Sequence, residues 1–201
     1  MKKLAILAPV CAFLFFFLVQ FASAQQADIM IGGGTLLSPA PTSSSSFNPS
    51  ERGGTYLNID GNVIGFKRRI GFNIGTSWRA SQANYASGIN YRPILTDFNA
   101  IFAPKLGKKA GVDLFGGIGL SSARFYFPVI VNCNIGSGCI NYNSSNHFME
   151  DLGAGIRYYV WHHVFVRPEV HYYHIQGNTD QFSSNNVVRV GGSIGYTLGN
   201  D

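Results

Sequence analysis

Apolar and polar residues alternate along most of the chain after Gln25. In one such segment Ile70, Phe72 and Ile74 share one parity, while Gly and Asn occupy the positions between them. A period of two residues is typical of β-strands with one apolar face, and no segment shows a sustained helical period. The pattern therefore predicts an all-β protein.

Clusters of Gly, Asn, Ser and Lys divide the alternation into eight segments. The predicted strands are Asp28 to Leu37, Thr55 to Ile64, Ile70 to Ala80, Tyr91 to Ala103, Val112 to Tyr126, Phe148 to Val160, Val164 to Ile175 and Val187 to Leu198. Long connections (38–54, 81–90, 127–147, 176–186) alternate with short ones (65–69, 104–111, 161–163). An even strand number with loops sorted in this way predicts an eight-stranded antiparallel up-and-down transmembrane β-barrel.

The charged residues decide which face of the strands is the interior. Five acids and four bases oppose the apolar parity: Asp60, Arg79, Asp97, Asp113, Asp151, Arg157, Arg167, Glu169 and Arg189. The lumen of an eight-stranded barrel is just wide enough for side chains, and buried charges in it must pair. The alternative is a soluble lipocalin-like binder, which would place its charges in solvent and large apolar side chains inside.

Four of these charges form the candidate site. Asp113, Arg157, Arg167 and Glu169 come from three consecutive predicted strands, close to the short-turn end. We expect them to form a charge cluster that plugs the lumen. If the pairs exchange partners, the same cluster would instead gate a narrow pore for small solutes or ions.

Residues 1–24 read as a signal peptide, which leaves residues 25–201 as the barrel domain. Lys2 and Lys3 precede an apolar run, and Ala22-Ser23-Ala24 has the small-x-small form of a cleavage site. The alternative, a membrane anchor, has no reason to end in this motif. Export makes a disulfide between Cys133 and Cys139 plausible, and it would close a short loop.

Composition narrows the function classes further. Only 12% of the 201 residues are charged, and the formal charge of +5 includes Lys2 and Lys3 of the removable segment, so we expect no nucleic-acid partner. The histidines lack metal-ligand spacing, and we expect no metal and no cofactor. His171 and Glu169 share a face without a serine at a recognisable spacing, so we expect no catalysis; a lipid-modifying barrel enzyme is the alternative.

Four features of the sequence point to a known family: the signal peptide, the eight predicted strands, and the segments Asp151-Leu-Gly-Ala-Gly-Ile-Arg-Tyr-Tyr-Val160 and Val164-Phe-Val-Arg-Pro-Glu-Val-His-Tyr-Tyr173. Together they resemble small outer-membrane β-barrels such as the OmpA transmembrane domain and OmpX. The resemblance implies a monomer in the bacterial outer membrane. Its partners would be the outer-membrane assembly machinery, outer-membrane lipids and lipopolysaccharide. An extracellular ligand would bind loops 38–54 and 127–147, giving a structural or surface-interaction role.

Overall fold

A computed structural model describes residues 26–39, 54–66, 69–86, 88–128, 132–134, 138–178 and 180–199. These residues form strands β1 (Gln26–Leu37), β2 (Tyr56–Phe66), β3 (Ile70–Arg79), β4 (Ala83–Ala86), β5 (Ile89–Phe102), β6 (Ala110–Tyr126), β7 (Asn132–Asn134), β8 (Gly138–Ile140), β9 (Tyr142–Trp161), β10 (Val164–Ile175) and β11 (Asn186–Leu198). The described residues contain no helix long and apolar enough to cross a membrane. The predicted signal peptide, residues 1–24, lies outside the described residues.

Eight of the strands close into a barrel in which every neighbouring pair is antiparallel. The order around the ring is β1, β2, β3, β5, β6, β9, β10 and β11. Strand β3 pairs with β5 across the long connection, and β1 pairs with β11 from Ala27↔Leu198 to Leu37↔Val188. The predicted eight-stranded up-and-down barrel is confirmed.

Most strand bounds lie within two residues of the prediction, but β9 begins six residues early. It starts at Tyr142, and its first residues pair with β6 up to Tyr126↔Tyr142. The added residues include the run Asn143-Ser144-Ser145-Asn146, which has no apolar face. Beyond the apolar belt both faces of a strand contact water, so apolar residues no longer alternate with polar ones. The sequence pattern therefore could not predict where β9 begins.

Three short strands lie in the loops. Strand β4 pairs with the start of β5, and β7 pairs with β8 in a separate two-stranded sheet. In that sheet Cys133 is directly opposite Cys139. Directly opposed residues of antiparallel strands have Cα atoms about 4.5 to 5.5 Å apart, a spacing that suits a disulfide. The register is thus compatible with the disulfide, which stays a prediction.

Exposure alternates along most of each barrel strand, with interruptions where glycines cluster. Large aliphatic side chains point outward, with Ile31 63% and Ile194 60% exposed at neighbouring positions of β1 and β11. The opposite parity is buried and carries the charges. A soluble binder would reverse these faces, so the lipocalin-like alternative is wrong.

Candidate functional site

Among the residues that the structure describes, the interior of the barrel holds more acidic than basic side chains. Six carboxylates are buried: Asp28, Asp60, Asp97, Asp113, Asp151 and Glu169. Against them stand the guanidinium groups of Arg157, Arg167 and Arg189, together with the imidazole of His171. The near balance expected from the sequence is therefore wrong. It missed Asp28, and the remaining predicted base, Arg79, is only half-buried as the last residue of β3.

One cluster forms around Arg157. Its Nη1 lies 2.9 Å from Asp28 Oδ2, and its Nη2 lies 2.9 Å from Asp113 Oδ2. Thr197 donates to Asp28 Oδ1 at 2.8 Å, which adds a neutral donor to the same carboxylate. The guanidinium carbon also lies 4.7 Å from the centre of the Phe165 ring. Arg157 therefore crosslinks β1, β6 and β9 inside the barrel.

The charges continue toward the loop side through Arg167. Its Nη1 lies 3.5 Å from Asp113 Oδ2, and its Nε and Nη2 lie 2.7 and 2.6 Å from Glu169 Oε2. Glu169 Oε1 in turn lies 2.9 Å from Arg189 Nη2. The four predicted cluster residues thus lie in one continuous chain of ion pairs, which Asp28 and Arg189 extend at its two ends.

The surplus carboxylates are bonded to amides. Asn99 donates to Asp97 Oδ1 and to Asp151 Oδ2, both at 2.8 Å. Asn58 donates to Asp60. Amide N–H groups satisfy carboxylate oxygens without adding positive charge, so these asparagines hold the acids in place without further arginines.

A glycine makes room for two of these carboxylates. Gly75 of β3 lies between Asp60 of β2 and Asp97 of β5 in the ladder. A Cβ at this position would lie 2.5 Å from Asp60 Oδ1 and 3.0 Å from Asp97 Oδ1. The absence of a side chain at residue 75 is therefore what lets both acids point into the lumen.

His171 connects the ion pairs to the aromatic side chains. Its Nδ1 lies 3.0 Å from Asp151 Oδ2, and its Nε2 lies 4.0 Å from Glu169 Oε1. The ring is stacked between Phe115 and Tyr173, with centroids 5.1 and 5.8 Å away. The imidazole is therefore held on its edges by acids and on its faces by rings.

Apolar layers lie on both sides of the polar network. The layer on the loop side contains Leu36, Tyr56, Leu95, Met149, Tyr173, Ile175, Phe182 and Val187. The layer toward the short-turn end contains Ile64, Ile101, Ala103 and Phe115. Phe182 differs from the other members because it belongs to the connection after β10 and not to the barrel wall.

The described residues of this connection, 176–178 and 180–185, fold into the mouth of the barrel. Gln181 and Phe182 are 0% and 1% exposed. Gln181 accepts from Ser121 Oγ at 2.5 Å and donates to the carbonyl oxygen of Ser145 at 2.8 Å. Asn178 donates to the carbonyl oxygens of Phe182 and Ser184 at 2.9 and 2.8 Å, which fixes the shape of the turn. We call residues 176–185 the mouth loop.

The mouth loop also meets polar side chains of the rim. His147 Nε2 lies 2.6 Å from Asp180 Oδ1 and 3.1 Å from Ser145 Oγ. Ser, His and Asp are the groups of a hydrolytic triad, but a triad uses the two different nitrogens of its histidine. Here both contacts fall on Nε2, so the arrangement differs from a triad and anchors the loop to the rim. Nearby, burial and the Asp180 carboxylate raise the pKa of the Tyr85 phenol.

No metal site accompanies these clusters in the part of the chain that the structure describes. No group of three or more His, Cys, Asp or Glu side chains there is arranged to hold an ion.

Two features of the site were missed by the sequence reasoning. Asp28 and the asparagines at 58, 62 and 99 share the inner parity, so the alternation itself was a usable signal. The burial of Gln181 and Phe182 had no such signal, because a loop has no period and its partners are far away in sequence.

Comparisons by structure relate the chain to solved outer-membrane barrels. It superposes on Neisserial surface protein A with a TM-score of 0.61 and 12% identity, covering 86% of this chain and 96% of that one. The attachment invasion locus protein Ail of Yersinia pestis matches with a TM-score of 0.56 and 11% identity, over 87% of this chain and 99% of that one. The N-terminal barrel domain of Pseudomonas aeruginosa OprF gives 0.50 and 12%, over 87% and 98%.

No protein-family model matches the chain, and no curated protein matches it by sequence. At identities of 11 to 12% the structural matches establish the fold alone. The chain therefore has the fold of the small outer-membrane β-barrels.

Proposed function

We propose that the chain is an integral outer-membrane protein with a closed lumen, whose role is structural or is carried by its extracellular loops. The observation that carries this proposal is the filled interior. The ion pairs from Asp28 to Arg189 occupy the lumen, and Phe182 of the mouth loop completes an apolar layer above them. Outward aliphatic side chains and the fold of outer-membrane barrels support the location.

The proposal excludes a permanent channel, and conductance tests it. We expect the wild-type protein in planar lipid bilayers to give no stepwise current. A variant with Arg167 and Glu169 both replaced by Gly removes two large linked side chains and is expected to conduct in discrete steps. Steady single-channel currents from the wild-type protein would overturn the closed lumen.

A narrow gated pore is the second candidate, favoured by one feature of the ion pairs. Asp113 contacts two arginines, and so does Glu169. A carboxylate with two partners can strengthen one contact while the other opens, so rearrangement would not leave a charge unpaired. Under this alternative the wild-type protein would conduct in brief openings, and Glu169→Gln would change their frequency.

The proposal also holds that the barrel is not an enzyme. Among the described residues, a group that resembles a catalytic triad is formed by Ser145, His147 and Asp180. Because the serine and the aspartate both contact Nε2 of the histidine, the geometry supports an anchoring role. Lipid A hydrolysis assays with the wild-type protein and Ser145→Ala test this point. Loss of a measurable activity in Ser145→Ala would contradict it.

The extracellular role is assigned to loops 38–54 and 127–147. Residues 40–53, 129–131 and 135–137 lie outside the described residues, so the support comes from the fold. Ail, which shares this fold, was solved in complex with the heparin analogue sucrose octasulfate. We expect bacteria displaying this chain to attach to heparin-coated wells better than a strain without it. Replacement of residues 41–50 by a Gly-Ser linker should reduce attachment, and equal attachment of all strains would refute the role.

A further inference from the structure

Two arginines lie side by side on the outer wall of the barrel, at its loop-side end. Arg92 of β5 and Arg124 of β6 are direct partners in the ladder. Both share the outward parity of exposed residues such as Phe98 and Leu120. Directly opposite residues have Cβ atoms about 5 Å apart, and like charges in this position destabilise a sheet. The pair therefore needs a compensating negative charge.

The described part of the chain supplies no carboxylate to either arginine. Arg92 Nη2 donates to the carbonyl oxygen of Ala80 at 2.9 Å, and its Nε is buried without an acceptor. The Arg124 guanidinium lies over the Tyr142 ring, 5.4 Å from its centre. These contacts anchor the two cations toward opposite neighbours, β3 and β9, and neutralise neither.

The height of the pair on the barrel indicates what it meets. Phe102 and Leu114 are exposed partners at the other end of the same two strands, ten residues from Arg92 and Arg124. Ten residues rise about 33 Å along a strand, which a tilt of 35 to 45° reduces to about 25 Å along the membrane normal. This is the height of the apolar belt of an outer-membrane barrel. The arginine pair therefore lies where the headgroups of the outer leaflet begin.

We propose that Arg92 and Arg124 bind the phosphate group of a lipid headgroup in the outer leaflet. A phosphate on the outer wall, over the pair, accepts charge-assisted hydrogen bonds from both guanidinium groups. It also removes the repulsion between them. Ser144 lies directly opposite Arg124 on β9 and adds a hydroxyl donor on the same outer wall.

The test uses the full chain in micelles of a zwitterionic detergent, with arginine side-chain Nε–Hε resonances as the readout. The probe is dihexanoyl phosphatidic acid, a soluble lipid with a phosphomonoester. We expect it to shift the Arg92 and Arg124 resonances with saturation, while dihexanoyl phosphatidylcholine leaves them in place. In the double variant R92Q/R124Q, where the probe is followed through the backbone amide resonances of residues 92, 124 and 144, the apparent affinity should fall about tenfold or more.

A matched control is Arg69→Gln, which removes an exposed arginine near the opposite end of the barrel and should leave the affinity unchanged. Heat-dependent gel mobility checks that each variant is folded, and the single variants R92Q and R124Q, each with a smaller expected loss of affinity, replace the double variant if it is not. Equal shifts with inorganic phosphate at the same concentration would assign the site to free phosphate and overturn the lipid assignment. Absence of saturable shifts, or undiminished affinity in R92Q/R124Q, would overturn the site itself.

Discussion

At the scale of single residues, Glu169 is the carboxylate on which the lumen network depends. It lies between Arg167 and Arg189, at 2.6 and 2.9 Å. Because all three side chains are buried, removal of the negative charge leaves two guanidinium groups without their shared partner. The loss of one partner is therefore much more costly here than at the surface.

We predict that Glu169→Gln lowers the free energy of unfolding by about 3 kcal/mol. The measurement is a urea titration in lipid vesicles, followed by tryptophan fluorescence. Glu150→Gln is the matched control, because Glu150 is exposed on the outer wall and accepts a single side-chain hydrogen bond, from Gln176, among the described residues. The control should change stability by less than about 0.5 kcal/mol. Equal effects of the two substitutions would contradict the network.

The sequence predicted which residues point inward and that four of them form a cluster, but it did not predict the partners that extend this cluster. Parity alone assigns Asp113 and Arg157 to the interior, because side chains alternate along a strand. Contacts depend on register and tilt, which relate strands that are far apart in the chain. Asp28 shows this difference: it is 129 residues from Arg157 in sequence and lies 2.9 Å from it in the barrel.

At the scale of elements, the mouth loop is the part of the fold that differs most from its sequence expectation. It was expected only to be long and polar. In the structure Phe182 packs in the apolar layer, and Gln181 bonds to residues of β6 and β9. A loop held by buried contacts is structurally part of the barrel interior.

Phe182→Ala is predicted to release this loop, because it removes the largest apolar contact that holds it. The measurement is the rate at which proteinase K cleaves residues 176–185 in reconstituted vesicles. We expect faster cleavage in Phe182→Ala than in the wild type. Asn185→Ala alters an exposed residue of the same loop and should leave the rate unchanged. Similar rates in Phe182→Ala and wild type would show that the ring does not anchor the loop.

The β7 and β8 hairpin carries a second prediction at this scale. The opposed backbone positions of Cys133 and Cys139 lead us to expect a disulfide in the exported protein. Mass spectrometry should compare the intact protein purified under oxidising conditions with the same protein after reduction. We expect the oxidised protein to be lighter by the mass of two hydrogen atoms. A mass unchanged by the reductant would refute the bond.

At the scale of the whole molecule, the outer surface determines whether the barrel is stable in lipid or in water. Ile31, Ile59 and Ile194 are neighbours on the outer wall, and all are more than half exposed. Such a surface is stable in lipid and aggregates in water. The barrel fold was predictable from the sequence because this surface repeats with a period of two on every strand.

We predict that the cost of a charge on this surface depends on its depth. Ile31→Arg, near the middle of β1, should lower the free energy of unfolding in vesicles by about 2 to 4 kcal/mol. Leu37→Arg, at the loop-side end of the same strand, should cost about 1 kcal/mol or less. Both are measured by urea titration. Equal costs at the two depths would mean that the surface does not face a bilayer.

The pairing of the first barrel strand with the last has a consequence for how the protein is made. Ala27 and Leu198 are partners, so the contact that completes the ring spans nearly the whole chain. Until β11 docks, both strands expose backbone N–H and C=O groups that hydrocarbon cannot satisfy. Contacts of such long sequence separation also form slowly, because the loop that they close is long. Stable insertion therefore has to wait for the carboxyl-terminal strand, and a chain truncated before Asn186 should be a substrate for proteolysis and not a smaller barrel.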